Sequence, residues 1–482
     1  MLRQGLLCLV LIVSSSVFAQ DVNTDYESFR QSILKDYQGF RKDVLENYAK
    51  YLDGIWNEYL LFKGEKRDTT PKPSIVPVMD EEPGLVQPQE LPSPEIEPFN
   101  KPEPSPYETA PSVPQAPSLP NFHFSFYDVT LNSVRPSKTY TLKSLDASSI
   151  SSVWKSYLET TSNSVIQSLV TISSSLGLND WFTFELVRKY VDNLLCDGNA
   201  SERIIFQHFL LTNMGYDIRM ARTDRQLLLL VPFKQRMYER NYLVIDGVSY
   251  YAFFDNQSDE EKGASIYTYE LPQNINAGEQ LDLSFNNSSL NVPHGADKEF
   301  LLSDGVLQIK GIVNSGMMEM LRHYPQMDIP YYAASILFPS LRSDILNQLR
   351  QQVKTMSKVQ AAKALLHFSQ YAFDYATDGD QHGYEKTYFF EENFFYPKND
   401  CEDRSIFFAY LVRNLLGYDV HLIQYPGHEC TAINFNDNTI VGDGYIYDNK
   451  VYLICDPTYI GAPIGRCMPM YLDTMPIVEL WY

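Results

Sequence analysis

Two stretches of the chain decide the fold that we expect: NASERIIFQHFLLTNMGYDIRM at 199–220 and CEDRSIFFAYLVRNLLGYDVHL at 401–422. An offset of 202 residues aligns them, so that Gly215-Tyr216-Asp217 meets Gly417-Tyr418-Asp419 and most apolar positions meet apolar positions. Each stretch indicates a helix that a glycine ends, with strands to follow. The repeated order of elements predicts an α+β chain built from two tandem copies of one fold.

Composition excludes several classes of function. The chain has 482 residues, of which 44% are hydrophobic, and a net charge of −21. The apolar fraction rules out wholesale disorder. The acidic balance argues against nucleic acid or an anionic membrane as the main partner, because both are polyanions that attract basic surfaces. After the N-terminus no apolar stretch is long enough to anchor the mature chain in a bilayer.

Residues 1–19 have the pattern of a secretory signal peptide. Arg3 begins the segment, an apolar run follows, and Val17-Phe18-Ala19 resembles a cleavage site. We therefore expect an exported protein, periplasmic or extracellular. Removal of the segment takes away Cys8 and leaves five cysteines, an odd number, so at least one thiol should stay unpaired.

Two segments are expected to precede the tandem copies. Residues 20–62 predict an amphipathic helix, whose tyrosine-rich stripe either docks on the protein's own body or binds a protein partner. Residues 63–120 hold fifteen of the 28 prolines. Proline removes backbone donors and favours extended chain, so this stretch predicts an acidic linker that buries no core.

The remaining chain divides into three predicted regions. Residues 121–255 form the first copy of the fold, residues 256–330 a β-rich connector, and residues 331–482 the second copy. The second copy contains the reactive residue types.

Three residues of the second copy have the order and types of a thiol triad. Cys401 stands at the expected start of a helix, where free backbone N–H groups and the helix dipole favour a thiolate. His428 would begin one strand and Asp456 would end another. If those strands are neighbours, the carboxylate can accept a hydrogen bond from the imidazole and orient it as a base.

An oxyanion produced by this triad would need two donors. The backbone N–H of Cys401 would be one. The second should come from upstream, where Tyr384, Gln381 and His382 are candidates.

Simpler alternatives remain open for these residues. His421 is a second candidate for the base, and Asp456 before a proline could be only a turn residue. A Cys430–Cys455 disulfide is disfavoured, because strand alternation would put Cys430 on the face of His428 and Cys455 on the opposite face.

Neither a metal ion nor a cofactor is predicted. The chain has no CxxC, no HExxH and no glycine-rich phosphate loop. Glu402 and Asp403 are acids of the kind expected at a helix N-terminus.

These motifs resemble the transglutaminase-like branch of the papain-like cysteine enzyme superfamily. The resemblance lies in DCEDRS at 400–405, GYDV at 417–420, PGHE at 426–429 and CDPTY at 455–459. It implies a papain-like fold in both copies, with Cys401 as nucleophile. One departure is Glu429-Cys430, where the family has an aromatic residue after its histidine.

The resemblance implies that His428 is the base and Asp456 its orienter. The first copy should be degenerate. Asn199 stands at the nucleophile position, Gln226 falls near the base position, and Asp255 could match the orienter.

Two functions follow as expectations. The first is an exported thiol enzyme that acts on an amide or ester of a peptide, a protein or a cell-wall peptide, with hydrolysis favoured over transfer to an amine. The second is a non-catalytic envelope adaptor or assembly protein. An open site with an aligned Cys401 and His428 would favour the enzyme, and a plugged or unaligned site the adaptor.

Overall fold

The computed structural model describes most of the chain outside its N-terminal quarter. The described residues are 45–67, 70–79, 89–97, 121–255, 265–269, 278–285, 290–292, 295–437 and 439–481. The predicted signal peptide at 1–19, most of the predicted N-terminal helix and the end of the predicted linker lie outside them.

The described residues form a mixed α+β fold, as the sequence predicted. The helices are α1 (45–52), α2 (Ala147–Thr160), α3 (Asn163–Ser175), α4 (Asp180–Leu194), α5 (Ala200–Met214), α6 (Ser315–Leu321), α7 (Ile329–Ala334), α8 (Pro339–Val353), α9 (Lys358–Tyr371), α10 (Asp378–Gln381) and α11 (Cys401–Leu416). The strands are β1 (Trp56–Tyr59), β2 (Glu95–Glu97), β3 (Phe122–Phe126), β4 (Val129–Ser133), β5 (Arg219–Arg222), β6 (Leu227–Pro232), β7 (Tyr242–Ile245), β8 (Val248–Phe253), β9 (Ile266–Tyr269), β10 (Asp297–Ser303), β11 (Gln308–Asn314), β12 (Asp374–Tyr375), β13 (Lys398–Asn399), β14 (Asp419–Tyr425), β15 (His428–Asn434), β16 (Gly444–Tyr447), β17 (Lys450–Cys455) and β18 (Ile477–Glu479).

Two six-stranded sheets share one strand order, but one edge differs in direction: β1 pairs antiparallel with β9, whereas β2 pairs parallel with β18. Their orders are β1-β9-β5-β6-β8-β7 and β2-β18-β14-β15-β17-β16. The offset of 202 residues that aligned the two helices also carries β7 onto β16 and β8 onto β17 without a shift. The helices α5 and α11 pack on the equivalent strands of their sheets and end at glycines with positive φ. The repetition seen in sequence is therefore a repetition of strand order.

A pair of equivalent hydrogen bonds strengthens this correspondence. In the first sheet the Tyr250 hydroxyl donates to Asp217 at 2.6 Å. In the second sheet the Tyr452 hydroxyl donates to Asp419 at 2.7 Å. Both pairs are related by the same offset, so the GYD motif that ends each helix is tied to its sheet in the same way.

Three strands, the edge strands β1 and β2 and the strand β9 next to β1, come from regions that the sequence assigned otherwise. The predicted helix at 20–62 is helical at 45–52, but β1 follows it and pairs with β9. The strand β9 itself comes from the predicted connector, so the first sheet extends beyond residue 255. The strand β2 comes from the predicted linker and pairs with β18. Edge pairing supplied partners that local periodicity does not encode.

The prediction that residues 63–120 bury nothing is wrong for the part that the structure describes. Leu91 is buried, and its backbone N–H donates to the Gly444 carbonyl at 2.7 Å. The Met79 N–H donates to the Ile460 carbonyl at 3.1 Å. Proline-rich chain lacks regular structure of its own, but here it lies along the second sheet and satisfies its remaining donors there.

The hydrophobic core is continuous across the predicted domain boundaries. One cluster of buried side chains includes Leu45 of α1, the helices of the first half and helices α7, α8, α9 and α11. At the junction Phe389 contacts Phe285 at 5.4 Å and Tyr324 at 5.3 Å between ring centroids. The buried Leu45, Tyr48 and Leu52 show that α1 docks on the protein's own body. Among the described helices, none has the length and apolarity required to cross a membrane.

Candidate active site

Cys401 is the first residue of α11 and is almost fully buried, with 1% of its surface exposed. Asp400 caps the helix, and its backbone N–H donates to Asp403, whose other oxygen accepts from the Tyr388 N–H at 2.7 Å. The Ser405 hydroxyl donates to the Glu429 carbonyl at 3.1 Å. This last bond fixes the first turn of α11 against the start of β15.

His428 begins β15 and Asp456 follows β17, its antiparallel neighbour. Their side chains meet, with Nε2 of His428 2.8 Å from Oδ2 of Asp456. The other carboxylate oxygen accepts from the backbone N–H groups of Thr458 at 2.9 Å and Tyr459 at 3.1 Å. A carboxylate held at both oxygens fixes the orientation of the imidazole.

The second imidazole nitrogen is free for another partner. Nδ1 of His428 is buried and has no hydrogen-bond partner within the described chain. No hydrogen bond joins it to Cys401 among these residues; the Cys401 thiol donates to Glu402 Oε2 at 3.2 Å instead. The candidate base His428 and its candidate orienter Asp456 are therefore aligned, whereas the Cys401 thiol is turned toward a carboxylate.

The structure reverses the expectation of a stabilised thiolate at Cys401. Burial raises the pKa of the Cys401 thiol well above its ordinary value, and the Glu402 carboxylate adds to the rise. Lys72 and hydrogen bonding from the Glu429 backbone act in the opposite direction but do not outweigh them. The helix dipole favours an anion by only about 1–2 kcal/mol even in good geometry, so desolvation dominates here.

A lysine from the predicted linker explains why the site is covered. The Lys72 ammonium lies 3.0 Å from Asp400 Oδ2, 2.7 Å from Glu385 Oε1 and 3.6 Å from Asp378 Oδ2, and it also contacts Glu402. Arg67 approaches Glu402 from the same segment, with 3.7 Å between Nη2 and Oε1. Two cations of one segment thus neutralise the acids on both sides of the nucleophile.

Burial and these two cations shift the pKa values of the surrounding acids in opposite directions. Burial would raise the pKa of Glu402, but Lys72 and Arg67 outweigh it and hold that pKa well below its usual range. Burial raises the pKa of Asp378 to about 7, although Lys72 opposes the rise. Burial also raises the pKa of Asp400 well above normal, with the Asp378 carboxylate adding to it.

The three upstream candidates for the second oxyanion donor point elsewhere. Gln381 donates to the Lys398 carbonyl at 3.1 Å, and His382 Nε2 lies 2.6 Å from the Tyr388 hydroxyl. Tyr384 donates to the Arg322 carbonyl at 2.6 Å. The structure brings none of the three to Cys401, so this prediction is wrong for the conformation described.

His421, the alternative base, lies apart from the nucleophile. Its Nδ1 is 2.9 Å from the Tyr445 hydroxyl, and its ring stacks on Tyr452 with 3.9 Å between centroids. Burial lowers the pKa of His421 to about 4. A neutral histidine that belongs to a ring stack has a structural role, which leaves His428 as the base candidate.

The cysteines follow the predicted pleat parity. Cys430 packs with Ala432 in a second hydrophobic cluster on one face of the sheet, whereas Cys455 packs in the main core on the other face. The two are free thiols, as are Cys196, Cys401 and Cys467. Of these five, Cys196 is exposed and the others are buried.

Three groups of described side chains have a spacing that metal ions also use. In each group the ligand atoms lie within 4.8 Å of one another: His428, Cys430 and Asp456; Asp378, Asp400 and Asp403; and Asp378, Glu385 and Glu402. In the first group burial raises the pKa of Cys430 well above normal, and a cysteine ligand must be a thiolate. The His428–Asp456 hydrogen bond accounts for that group without a metal.

Glu429, which departs from the family pattern, lies in an unusual environment. It is buried, and neither carboxylate oxygen has a hydrogen-bond partner in the described structure. Burial and the nearby Glu479 raise the pKa of Glu429 well above normal, while Arg67 lowers it. A buried acid with a raised pKa thus stands where the sequence resemblance would place an aromatic ring.

Sequence reasoning missed Arg67 and Lys72, and one signal could have found them. Lys63, Lys66, Arg67 and Lys72 form a basic run at the head of an otherwise acidic, proline-rich stretch. In a chain of net charge −21 such a run predicts an acidic docking surface on the same molecule.

The first half holds different chemistry at the equivalent positions. Asn199 caps α5 and accepts from the Glu202 N–H at 2.9 Å. Asp255 accepts hydrogen bonds from Arg203 Nε, at 2.9 Å to Oδ1. Gln226 belongs to the tight turn before β6, where its carbonyl accepts from the Thr223 N–H at 2.9 Å. A cap, an ion pair and a turn thus replace the three residues of the second half.

Comparison with known proteins adds no relative. No protein-family model matches the chain, and neither the curated proteins nor the solved structures contain a match.

Proposed function

We propose that this protein is a thiol acyl-transfer enzyme that acts on an amide or ester through a Cys401 thioester. The observation that carries the proposal is the buried His428–Asp456 pair, whose remaining imidazole nitrogen is free beside the first turn of the helix that starts at Cys401. A histidine held by a carboxylate, next to a thiol at a helix N-terminus, is an arrangement suited to nucleophilic catalysis.

The chemistry balances with these three residues. The Cys401 sulfur attacks the carbonyl carbon, and His428 takes the thiol proton at Nδ1. The same proton passes to the leaving amine or alcohol as its bond to the carbonyl breaks, which leaves a thioester. Water, or an amine in a transferase, then attacks the thioester carbon while His428 takes its proton. The carbon–sulfur bond breaks, the acid or the new amide leaves, and His428 returns the proton to the sulfur. Asp456 stabilises the imidazolium in both halves.

Within the α+β class, a more specific fold can be proposed. We infer two tandem transglutaminase-like domains, of which the first is degenerate, in an exported protein. The repeated strand order and the paired Asp–Tyr hydrogen bonds support the tandem interpretation. The capped and ion-paired residues of the first half support its loss of chemistry.

One observation favours a second candidate function, a non-catalytic adaptor. Cys401 is covered, and its thiol contacts Glu402 rather than His428. A covered site is what an adaptor would have, and it is also what a latent enzyme would have. The enzyme is preferred because an adaptor has no need of the oriented His428–Asp456 pair.

Mass spectrometry of covalent adducts tests the choice. The full chain and its Lys72→Gln variant are incubated with peptide thioester or activated ester donors, and the peptide containing Cys401 is examined for acylation. We expect acylation at Cys401 that Cys401→Ala removes and Cys467→Ala leaves in place. Absence of the adduct in both the wild-type and the Lys72→Gln chains would favour the adaptor.

A further inference from the structure

Part of the proline-rich region contacts residues next to Cys401 and residues next to His428. This covering segment consists of residues 64–67 and 70–79. Lys72 contacts Asp400 and Glu402, the two neighbours of Cys401. On the other side Gly427, which precedes His428, approaches the chain so closely that a β-carbon there would lie 3.0 Å from the Pro71 carbonyl oxygen. The segment therefore occupies the space that a substrate backbone would need.

Hydrogen bonds to the carbonyls of Pro73 and Pro77 hold the segment against the protein. The Tyr375 hydroxyl donates to the Pro73 carbonyl at 2.8 Å. The Ile460 N–H donates to the Pro77 carbonyl at 2.9 Å, and Val78 forms a parallel bridge with Ile460. Prolines on both sides of Lys72 favour an extended backbone at this residue, which reduces the conformational freedom that the lysine loses when it enters the site.

The pocket around the Lys72 ammonium is built for a cation. Four carboxylates converge on it, and only 6% of the lysine side chain is exposed. Asp400 is fully buried, and its Oδ1 has no hydrogen-bond partner among the described residues. Buried carboxylates that lie so close together repel one another unless a cation neutralises them, so the pocket is unfavourable when empty.

We propose that the pocket formed by Asp378, Glu385, Asp400 and Glu402 is a lysine subsite of the Cys401 site, which Lys72 fills in cis. The ligand class is an extended peptide that presents a lysine side chain. That this peptide is a substrate rests on the proposed function, whereas its binding does not. Gly427 serves the same purpose, because a residue without a side chain lets a peptide backbone come close.

Alkylation of Cys401 measures occupancy of this pocket without any turnover. The full chain is treated with iodoacetamide, and the modification of each cysteine is followed by peptide mass spectrometry. The exposed Cys196 is the internal reference. We expect Lys72→Gln to raise the Cys401 rate about tenfold or more relative to wild type, because the segment opens more often once its buried cation is lost. Lys66→Gln, an exposed lysine of the same segment, should leave the rate unchanged.

A peptide supplied in trans tests the identity of the ligand. A synthetic peptide of residues 64–79 should slow Cys401 alkylation in the Lys72→Gln chain toward the wild-type rate. The same peptide with glutamine in place of Lys72, and with Lys66 kept, should give at least about tenfold weaker protection, the difference expected for a lost buried ion pair. Equal protection by both peptides, or an unchanged rate in Lys72→Gln, would overturn the lysine subsite.

A second variant covers the case in which Lys72→Gln fails to fold, and the combined results separate the lysine subsite from the enzyme. If Lys72→Gln does not fold, as judged by its melting curve, Tyr375→Phe replaces it, because it removes only the hydroxyl that holds the Pro73 carbonyl. The rate of Cys401 alkylation in Tyr375→Phe should rise several-fold, and an unchanged rate would count against the proposal. A chain that shows lysine-dependent protection but no acylation keeps the subsite and loses the enzyme. A chain that is acylated at Cys401 but is protected equally by both peptides keeps the enzyme and loses the lysine subsite.

Discussion

Lys72 places its ammonium 3.0 Å from the Asp400 carboxylate, although the two residues are 328 positions apart in sequence. The contact joins a proline-rich segment to the cap of the helix that begins at Cys401. Covering of the site and protonation of the nucleophile are therefore linked, because departure of the segment would admit water to a thiol whose pKa burial now raises. In the proposed enzyme this would change Cys401 from a protected thiol to a nucleophile at a helix N-terminus.

Removal of the orienting carboxylate should affect both chemistry and stability. In Asp456→Ala, His428 loses its partner and two backbone N–H groups lose their acceptor. We expect acylation of Cys401 to slow by about 10⁴-fold, the size of effect seen when a triad carboxylate is altered. The free energy of unfolding should fall by about 1–3 kcal/mol. Adduct formation rates and urea titrations measure the two effects.

Asp443 provides the matched control. It is also buried and also accepts from backbone N–H groups, those of Gln89 at 3.1 Å and Cys467 at 2.9 Å, but it contacts no histidine. Asp443→Ala should lose comparable stability and leave the acylation rate of the folded chain within about twofold, since no triad member is altered. Equal rate losses in the two variants would show that Asp456 acts only as a turn residue.

The buried acid Asp378 should make stability depend on pH. Its pKa is about 7 in the folded chain, against about 3.9 for an ordinary aspartate in the unfolded chain. Between these values the folded state keeps a proton that the unfolded state has lost. The stabilisation is therefore fully present below about pH 4 and is lost as pH rises through about 7, by an amount on the order of a few kcal/mol.

Urea titrations from pH 5 to pH 8 measure this dependence. Asp378→Asn should flatten the decline, because an amide does not titrate. Asp380→Asn, an exposed acid two residues further along α10, should keep the wild-type slope. A variant Asp378→Asn with the full wild-type slope would assign the dependence to other buried acids.

Much of the second half was predictable because its local signals agree with its packing. The helix α11 begins at Cys401 and ends before Gly417, as capping residues and glycine preferences indicated. His428 and Asp456 fall at a strand start and a strand end, where alternation put them on one face. For these residues the sequence pattern and the tertiary environment favour the same structure.

The covering segment could not be predicted from composition because proline-rich chain has no periodicity to interpret. Its position depends on contacts with residues hundreds of positions away, such as Lys72 with Asp400 and Pro77 with Ile460. The expectation that the helix N-terminus lowers the pKa of Cys401 fails for the same reason. The helix N-terminus is visible in sequence, but the desolvation that outweighs it comes from residues that only the fold brings together.

The equivalent Asp–Tyr pairs should differ in their contribution to stability. Tyr250→Phe leaves a buried Asp217 with neither oxygen hydrogen-bonded, because its Oδ1 already lacks a partner in the described chain. Tyr452→Phe leaves Asp419 with Lys450 at 3.1 Å and with 40% of its side chain exposed. We expect losses of about 2–3 kcal/mol for the first variant and about 1 kcal/mol or less for the second. Paired denaturant titrations compare them, and equal losses would contradict the difference in burial.

Two buried glutamines give opposite predictions for the same substitution. The Gln370 amide donates to the carbonyls of Asp456, Tyr459 and Ala462 at 3.1, 2.9 and 3.0 Å, and so holds the loop that carries the orienting carboxylate. Gln370→Met keeps the volume but leaves those carbonyls without this donor. We expect a loss of about 2–3 kcal/mol in the free energy of unfolding. The acylation rate of Cys401 should fall as well, because the loop positions Asp456.

Gln207 is equally buried, but neither of its amide atoms has a hydrogen-bond partner within the described residues. Replacing an unsatisfied buried amide with a thioether of similar size removes a desolvation cost. Gln207→Met should therefore leave stability within about 0.5 kcal/mol of wild type or increase it, with no effect on acylation. Thermal melts and acylation rates of the two variants, measured side by side, check the contrast. A larger loss for Gln207→Met than for Gln370→Met would show that bound water satisfies the Gln207 amide.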